Sequence, residues 1–225
     1  MKKFTLFAIL LTLSSDLVSG QDWPGLGRYA EENRALESSF PVKGRVVFMG
    51  NSITENWYKF HPGFFDERGY VARGISGQTT PQMLIRFRQD IVNIGAETVV
   101  ILAGTNDIAG NTGKSTLPMI MDNIKSMCDI AVHNGIKVVL CSVLPAYRYS
   151  WNREARPDII IPELNLLIKE YAAEKGFTYI DFFTPMADKS PENENGLPAG
   201  LSKDGVHPNL EGYKIMEELL LRALL

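Results

Sequence analysis

Short aliphatic runs recur along this chain, each followed by an amphipathic stretch, and that alternation limits the fold more than any other feature. The runs fall at residues 45–49, 71–72, 97–102, 137–143 and 177–180. Three of them are near-continuous Val, Ile and Leu, the pattern of strands covered on both faces, as parallel strands are. Between them the apolar spacing turns helical. Leu84, Phe87 and Ile91 line one face of a helix that Thr80 caps and Pro81 opens. Leu117, Ile120, Ile124, Met127 and Ala131 form a second stripe, with Asn134-Gly135 as its stop. Ile161, Leu164, Ile168 and Tyr171 make a third, ended by Gly176, and Tyr213, Met216, Leu220 and Leu224 a fourth. Tyr29, Leu36 and Phe40 suggest a further helix leading into the first strand. The alternation predicts an α/β chain: a three-layer sandwich whose central, mainly five-stranded parallel sheet is flanked by helices. Such sheets bind ligands beyond the carboxyl ends of their strands, so chemistry is sought just after each apolar run.

Composition narrows the functional classes. With 225 residues, 45% of them hydrophobic, the chain fills a sizeable core without a metal or disulfide staple. A net charge of -3 and the lack of any basic run exclude a nucleic-acid binder that works by neutralising phosphates. Cys128 and Cys141 are too few for a disulfide framework or a zinc site. They read as buried unpaired thiols, although an oxidising compartment leaves a bridge between them open.

Residues 1–20 stand apart. Lys2 and Lys3 precede an apolar run about half the length of a membrane-spanning helix, and small residues surround a cut after Gly20. This reads as a secretory signal peptide, with residues 21–225 as the mature domain, secreted or periplasmic. No integral membrane segment is expected once the leader is removed.

Four loops carry candidate chemistry. After the first run comes Gly50-Asn51-Ser52-Ile53-Thr54; a serine there presents its hydroxyl at the sheet edge, or else caps a helix running through Trp57. After the second comes Arg73-Gly74-Ile75-Ser76-Gly77-Gln78, a source of backbone N–H donors or simply a capped turn. Gly104-Thr105-Asn106-Asp107 follows the third and offers an amide donor or an ordinary turn. Before the last helix, Asp204-Gly205-Val206-His207 sets a carboxylate three residues ahead of a histidine, a spacing that can orient an imidazole as a base. Of the other histidines, His133 ends a helix, and His61 lies in an aromatic segment without a carboxylate at suggestive spacing. Trp57, Phe60, Phe64 and Phe65 read as core. The stretch from 144 to 157, with Tyr147, Arg148, Tyr149, Trp151, Arg153 and Arg156, is either a pocket wall or a surface connection.

In order and separation these four blocks resemble those of the SGNH (or GDSL) hydrolase family, over residues 40–225. Within it they are most similar to the branch of platelet-activating-factor acetylhydrolase-like and bacterial acyl esterases. The resemblance implies the flavodoxin-like SGNH hydrolase fold and a carboxylic ester hydrolase that uses Ser52 as nucleophile, His207 as base and Asp204 as its orienting acid. It also implies an oxyanion hole made by the Ser52 and Gly77 backbone N–H groups and the Asn106 side chain. The implied substrate is a small-molecule or glycan acyl ester, short-chain such as acetyl on a glycan, with no cofactor and no metal. Alternatives are a lysophospholipase or thioesterase using the same residues, or a noncatalytic carbohydrate-binding protein on a retired scaffold. Asn51 stands where the family name has aspartate, and Ala72 where similar sequences often have asparagine.

Overall fold

The structure, a computed structural model, describes residues 21–38 and 43–224. The signal-peptide reading of residues 1–20, and Phe40 of the first helix, lie outside the described residues.

Five strands, β1 (Val46–Gly50), β2 (Val71–Gly74), β3 (Thr98–Leu102), β4 (Lys137–Cys141) and β5 (Thr178–Ile180), pair in the order β2-β1-β3-β4-β5. Every pairing is parallel. Side chains that alternate along each strand feed two separate cores. Val47, Met49, Val99, Ile101, Val138 and Leu140 face one layer, together with Met83 and Phe87 of α4 (Thr80–Phe87), Ile124 of α6 (Leu117–His133) and Leu164 of α7 (Pro157–Lys175). Val46, Phe48, Val100, Leu102, Val139 and Cys141 face the other. There they meet Trp57 of α2 (Ser52–Phe60), Phe65 of α3 (Pro62–Asp66), Met186 of α8 (Phe183–Met186) and Tyr213 of α9 (Leu210–Leu224). Two further helices, α1 (Ala30–Ser38) and α5 (Thr105–Ile108), precede β1 and follow β3. The three-layer sandwich read from the sequence is therefore the architecture of the chain. Because β1 and β3 are neighbours while the sheet grows outward in both directions from them, the crevice beyond their carboxyl ends is the switch point where such folds bind ligands.

Several local expectations shift by one or two residues. Thr79, not Thr80, is the N-cap of α4, its own N–H donating to Gln82 Oε1 at 3.0 Å. Asn51, not Ser52, caps α2, Oδ1 accepting the Ile53 N–H at 3.0 Å, which leaves the Ser52 hydroxyl out of the cap. β4 ends at Cys141 rather than at 143, because Asn165 takes both the N–H and the C=O of Val143 (2.7 and 2.9 Å). Inside α7, Pro162 cannot donate to the Asp158 carbonyl, and Asn195 Nδ2 donates to it instead at 3.1 Å. Trp57, Phe64 and Phe65 are core as expected, but Phe60, at the end of α2, is 56% exposed.

Cys128 and Cys141 are free and buried. They belong to the two different cores, with the sheet between them, which answers the question of a bridge. Burial pushes the Cys128 thiol up to about 12 and the Cys141 thiol higher still, so both act as inert apolar packing.

Candidate active site

Four loops at the carboxyl ends of the strands converge. β1 delivers Ser52 as the first residue of α2, where its N–H is one of the donors that have no acceptor within the helix. The Ser52 hydroxyl lies 2.8 Å from His207 Nε2, a partner 155 residues away in sequence. His207 Nδ1 lies 2.7 Å from Asp204 Oδ2. Burial raises the Asp204 carboxyl, but the His207 N–H and ring and the Val206 N–H outweigh it and hold the group down to about 2. Asp204 Oδ1 accepts those two backbone N–H groups at 2.8 and 2.9 Å, so the turn that presents the ring is clamped by the same residue that holds it. The Ser202 hydroxyl closes the loop, donating to the His207 carbonyl at 2.7 Å.

The loop after β2 is pinned against the start of α2. A Cβ on Gly74 would sit 2.2 Å from the Glu55 nitrogen, so only glycine allows this approach. Glu55 of α2 accepts the Ser76 N–H at 2.8 Å and also the Ser76 hydroxyl. Burial raises the Glu55 carboxyl, yet the Ser76 and Lys59 hydrogen bonds outweigh it and bring the group down to about 2. Next comes Gly77, with φ +79, a left-handed turn residue. After β3, buried Asn106 donates Nδ2 to the Gln78 carbonyl at 3.0 Å, which uses one of its two amide hydrogens and leaves the second available. Its neighbour Asp107 accepts the Thr80 N–H and hydroxyl (3.0 and 2.6 Å), and burial pushes its carboxyl up to about 6 against the pull of those bonds. All five residues singled out from the sequence thus lie at one rim of the sheet, Gly77, Asp204 and His207 on loops, Ser52 and Asn106 in the first turns of α2 and α5.

Two polar arrangements were not visible in the sequence. Arg86, fully buried on α4, donates to the Gly50 and Arg73 carbonyls (both 2.9 Å), to Gln78 Oε1 (2.6 Å) and to Asp90 (2.7 Å). It joins the ends of β1 and β2 to the Gln78 loop. The sequence analysis did not single it out; an arginine four residues before an aspartate was the available signal. His61, read as lacking a carboxylate, has one: Glu217 of α9, 2.8 Å from Nδ1 and also bonded to the Trp57 indole. That pair joins segments 156 residues apart, beyond the reach of spacing arguments. Of the six side chains singled out between 144 and 157, five border a cavity and Trp151 is not among them. Tyr147, Arg148, Tyr149, Arg153 and Arg156 line a cavity of about 650 Å³ that Asp204 also borders. A second cavity, of about 510 Å³, lies against His207 and includes Phe60, Lys203 and Leu210. Among the described residues no group of three or more His, Cys, Asp or Glu is placed to hold a metal ion, and no helix is long and apolar enough to cross a membrane.

A hydroxyl bonded to an imidazole whose far nitrogen is held by a carboxylate can be activated as a nucleophile, and here it stands at the ligand-binding rim of a parallel α/β sheet. Residues 48–215 match the GDSL-like lipase/acylhydrolase family, and the chain belongs to it. The crystal structure of a GDSL-like lipase from Bacteroides thetaiotaomicron is similar, with a TM-score of 0.85 and 47% identity over 89% of this chain and 97% of that one. An acetylxylan esterase of Xylanibacter ruminicola is 25% identical over 218 residues, 80% of this chain but 43% of the relative, so the chain spans less than half of that protein. The acetylxylan esterase of Geobacillus stearothermophilus shares the fold, with a TM-score of 0.64 at 18% identity, over 81% of this chain and 94% of that one.

Proposed function

We propose that the chain is a serine esterase that removes short acyl groups, acetyl above all, from a glycan through an acyl-enzyme on Ser52. The observation that carries the reading is the 2.8 Å contact between Ser52 Oγ and His207 Nε2, backed by Asp204 at 2.7 Å. As the Ser52 oxygen attacks the ester carbonyl, His207 takes its proton, and Asp204 fixes the tautomer and stabilises the imidazolium. Negative charge develops on the carbonyl oxygen, where the Ser52 and Gly77 N–H groups and the free Asn106 amide hydrogen act as donors. His207 returns the proton to the leaving sugar oxygen. A water molecule then attacks the acyl-Ser52 ester with His207 again as base, releasing the acid and restoring the serine.

The acetyl and glycan parts of the proposal draw support from the similarity to acetylxylan esterases. Export is proposed from residues 1–20, and N-terminal sequencing of protein recovered outside the cytoplasm checks it.

The function is tested with a panel of acetylated sugars, phospholipids and thioesters, run beside Ser52→Ala and His207→Ala. Acetylated sugars are expected as the best substrates, with each variant folded and slowed by about 10³-fold or more. A preference for long chains or thioesters would move the assignment to a lysophospholipase or thioesterase. Near-normal turnover by folded Ser52→Ala would remove the mechanism.

A further inference from the structure

We infer that the exposed indole of Trp151 is a platform on which a pyranose ring of the substrate stacks while its acyl group sits at Ser52. The inference rests on the esterase reading above and names a subsite for the sugar.

Trp151 is half exposed, an unusual state for the largest side chain, yet it is held on two sides. One ring face lies on buried Tyr149, with centroids 5.1 Å apart and planes 28° from parallel. Its Nε1–H donates to Asn111 Oδ1 at 3.2 Å. Both contacts lead to the loops that carry the proposed oxyanion donors. Asn111 Nδ2 donates to the Gly77 carbonyl at 3.1 Å, and the Asn111 backbone N–H donates to the Asn106 carbonyl at 3.0 Å. The Tyr149 hydroxyl lies 2.8 Å from Thr105 Oγ1, the residue before Asn106. A third bond, from Asn152 Nδ2 to the Ala109 carbonyl at 2.9 Å, fastens the next residue to the same loop.

The indole is therefore fixed in orientation relative to Gly77 and Asn106, while half of it stays in water. A rigid aromatic surface with its N–H already satisfied offers only apolar stacking area. That suits the C–H face of a sugar ring, which brings both apolar area and weak C–H donors to the negative π-face. Pre-payment of the ordering entropy by these tethers is what turns such a surface into an effective subsite.

The test measures kcat/KM for acetylated xylo-oligosaccharides and for 4-nitrophenyl acetate with the full chain, with Trp151→Ala and with Trp151→Phe. Binding of the same oligosaccharides to the Ser52→Ala protein, with and without Trp151→Ala, is followed by calorimetry. The platform predicts that Trp151→Ala lowers kcat/KM for the sugar ester roughly tenfold more than for 4-nitrophenyl acetate, and weakens binding by a similar factor. Trp151→Phe, which keeps a ring but loses the bond to Asn111, retains most of the sugar selectivity. Equal losses on both esters would mean that Trp151 only braces the oxyanion loops through Asn111. Unchanged oligosaccharide affinity in Trp151→Ala would equally overturn the inference. Failure of the esterase reading is separate: the unmodified protein would then turn over neither ester, and the calorimetric arm would still decide the platform.

Discussion

The buried Tyr213 hydroxyl of α9 donates to the backbone carbonyl of Ile53, the residue after Ser52, at 2.8 Å. The helix that follows His207 is thereby hooked onto the helix that begins at Ser52, and Trp57 stacked on the Tyr213 ring at 5.7 Å strengthens the junction. Base and hydroxyl meet because these two helices are joined beneath them. Tyr213→Phe keeps the ring packing and removes the hook. It is expected to cost about 1 kcal/mol of stability, a small fall in Tm, with a lower kcat. Thermal unfolding and steady-state rates on one preparation check both effects, and unchanged kcat would remove the junction from the positioning of His207.

Asn106→Ala removes one of the proposed oxyanion donors. Turnover should fall by roughly 10²–10³-fold with little change in KM, the pattern of an interaction made in the transition state. A change confined to KM would identify Asn106 as a substrate-binding or turn residue.

Glu55 gives the stability of the rim a pH signature. Its carboxyl is at about 2 in the folded chain against an ordinary 4.5, so the folded state holds it ionised more readily than the unfolded state does. The stabilisation is fully present above pH 4.5 and is lost as pH falls from there toward 2. Glu55→Gln should be less stable than the parent chain at neutral pH, and the difference should shrink across that acid window. Denaturant titrations at pH 7, 4.5 and 3 measure it; a gap that stays constant would show that Glu55 contributes no pH-dependent stability.

Arg86→Met should damage the fold before the chemistry. It leaves the Asp90 carboxylate, 1% exposed at its side chain, without its ion-pair partner and takes one donor each from the Gly50 and Arg73 carbonyls in the interior. Breaking a buried pair from one side costs roughly 3–5 kcal/mol. Arg86→Lys restores a charge without the fork that serves four acceptors, so it should recover only part of the loss. Urea unfolding of the two variants separates the contribution of charge from that of geometry.

The sequence carried the layer order and the rim loops because both are local. Strand runs such as Thr98–Leu102, helical stripes such as that of Leu164 and Ile168, and the spacing of Asp204 and His207 are each written within a few residues. What stayed hidden depends on distance along the chain. Glu217 meets His61 across 156 residues, and nothing in either segment announces the other. Arg86 was not singled out because three of its four acceptors, on Gly50, Arg73 and Gln78, come from stretches outside its own helix. Capping was misplaced by one residue because Thr79 and Thr80, like Asn51 and Ser52, are adjacent residues of similar capping ability; only the backbone angles distinguish them. Asn51 itself explains how the chain departs from the aspartate of the family name without losing the turn: the cap needs one side-chain oxygen, and an amide supplies it.

The two cysteines lie on opposite sides of the sheet, and that placement has a practical meaning for producing the protein. Oxidation has no role in reaching the native state, so unfolding midpoints with and without dithiothreitol should coincide. A strongly reducing host is then as suitable for expression as an oxidising one, and alkylating reagents should label either thiol only after the chain has opened.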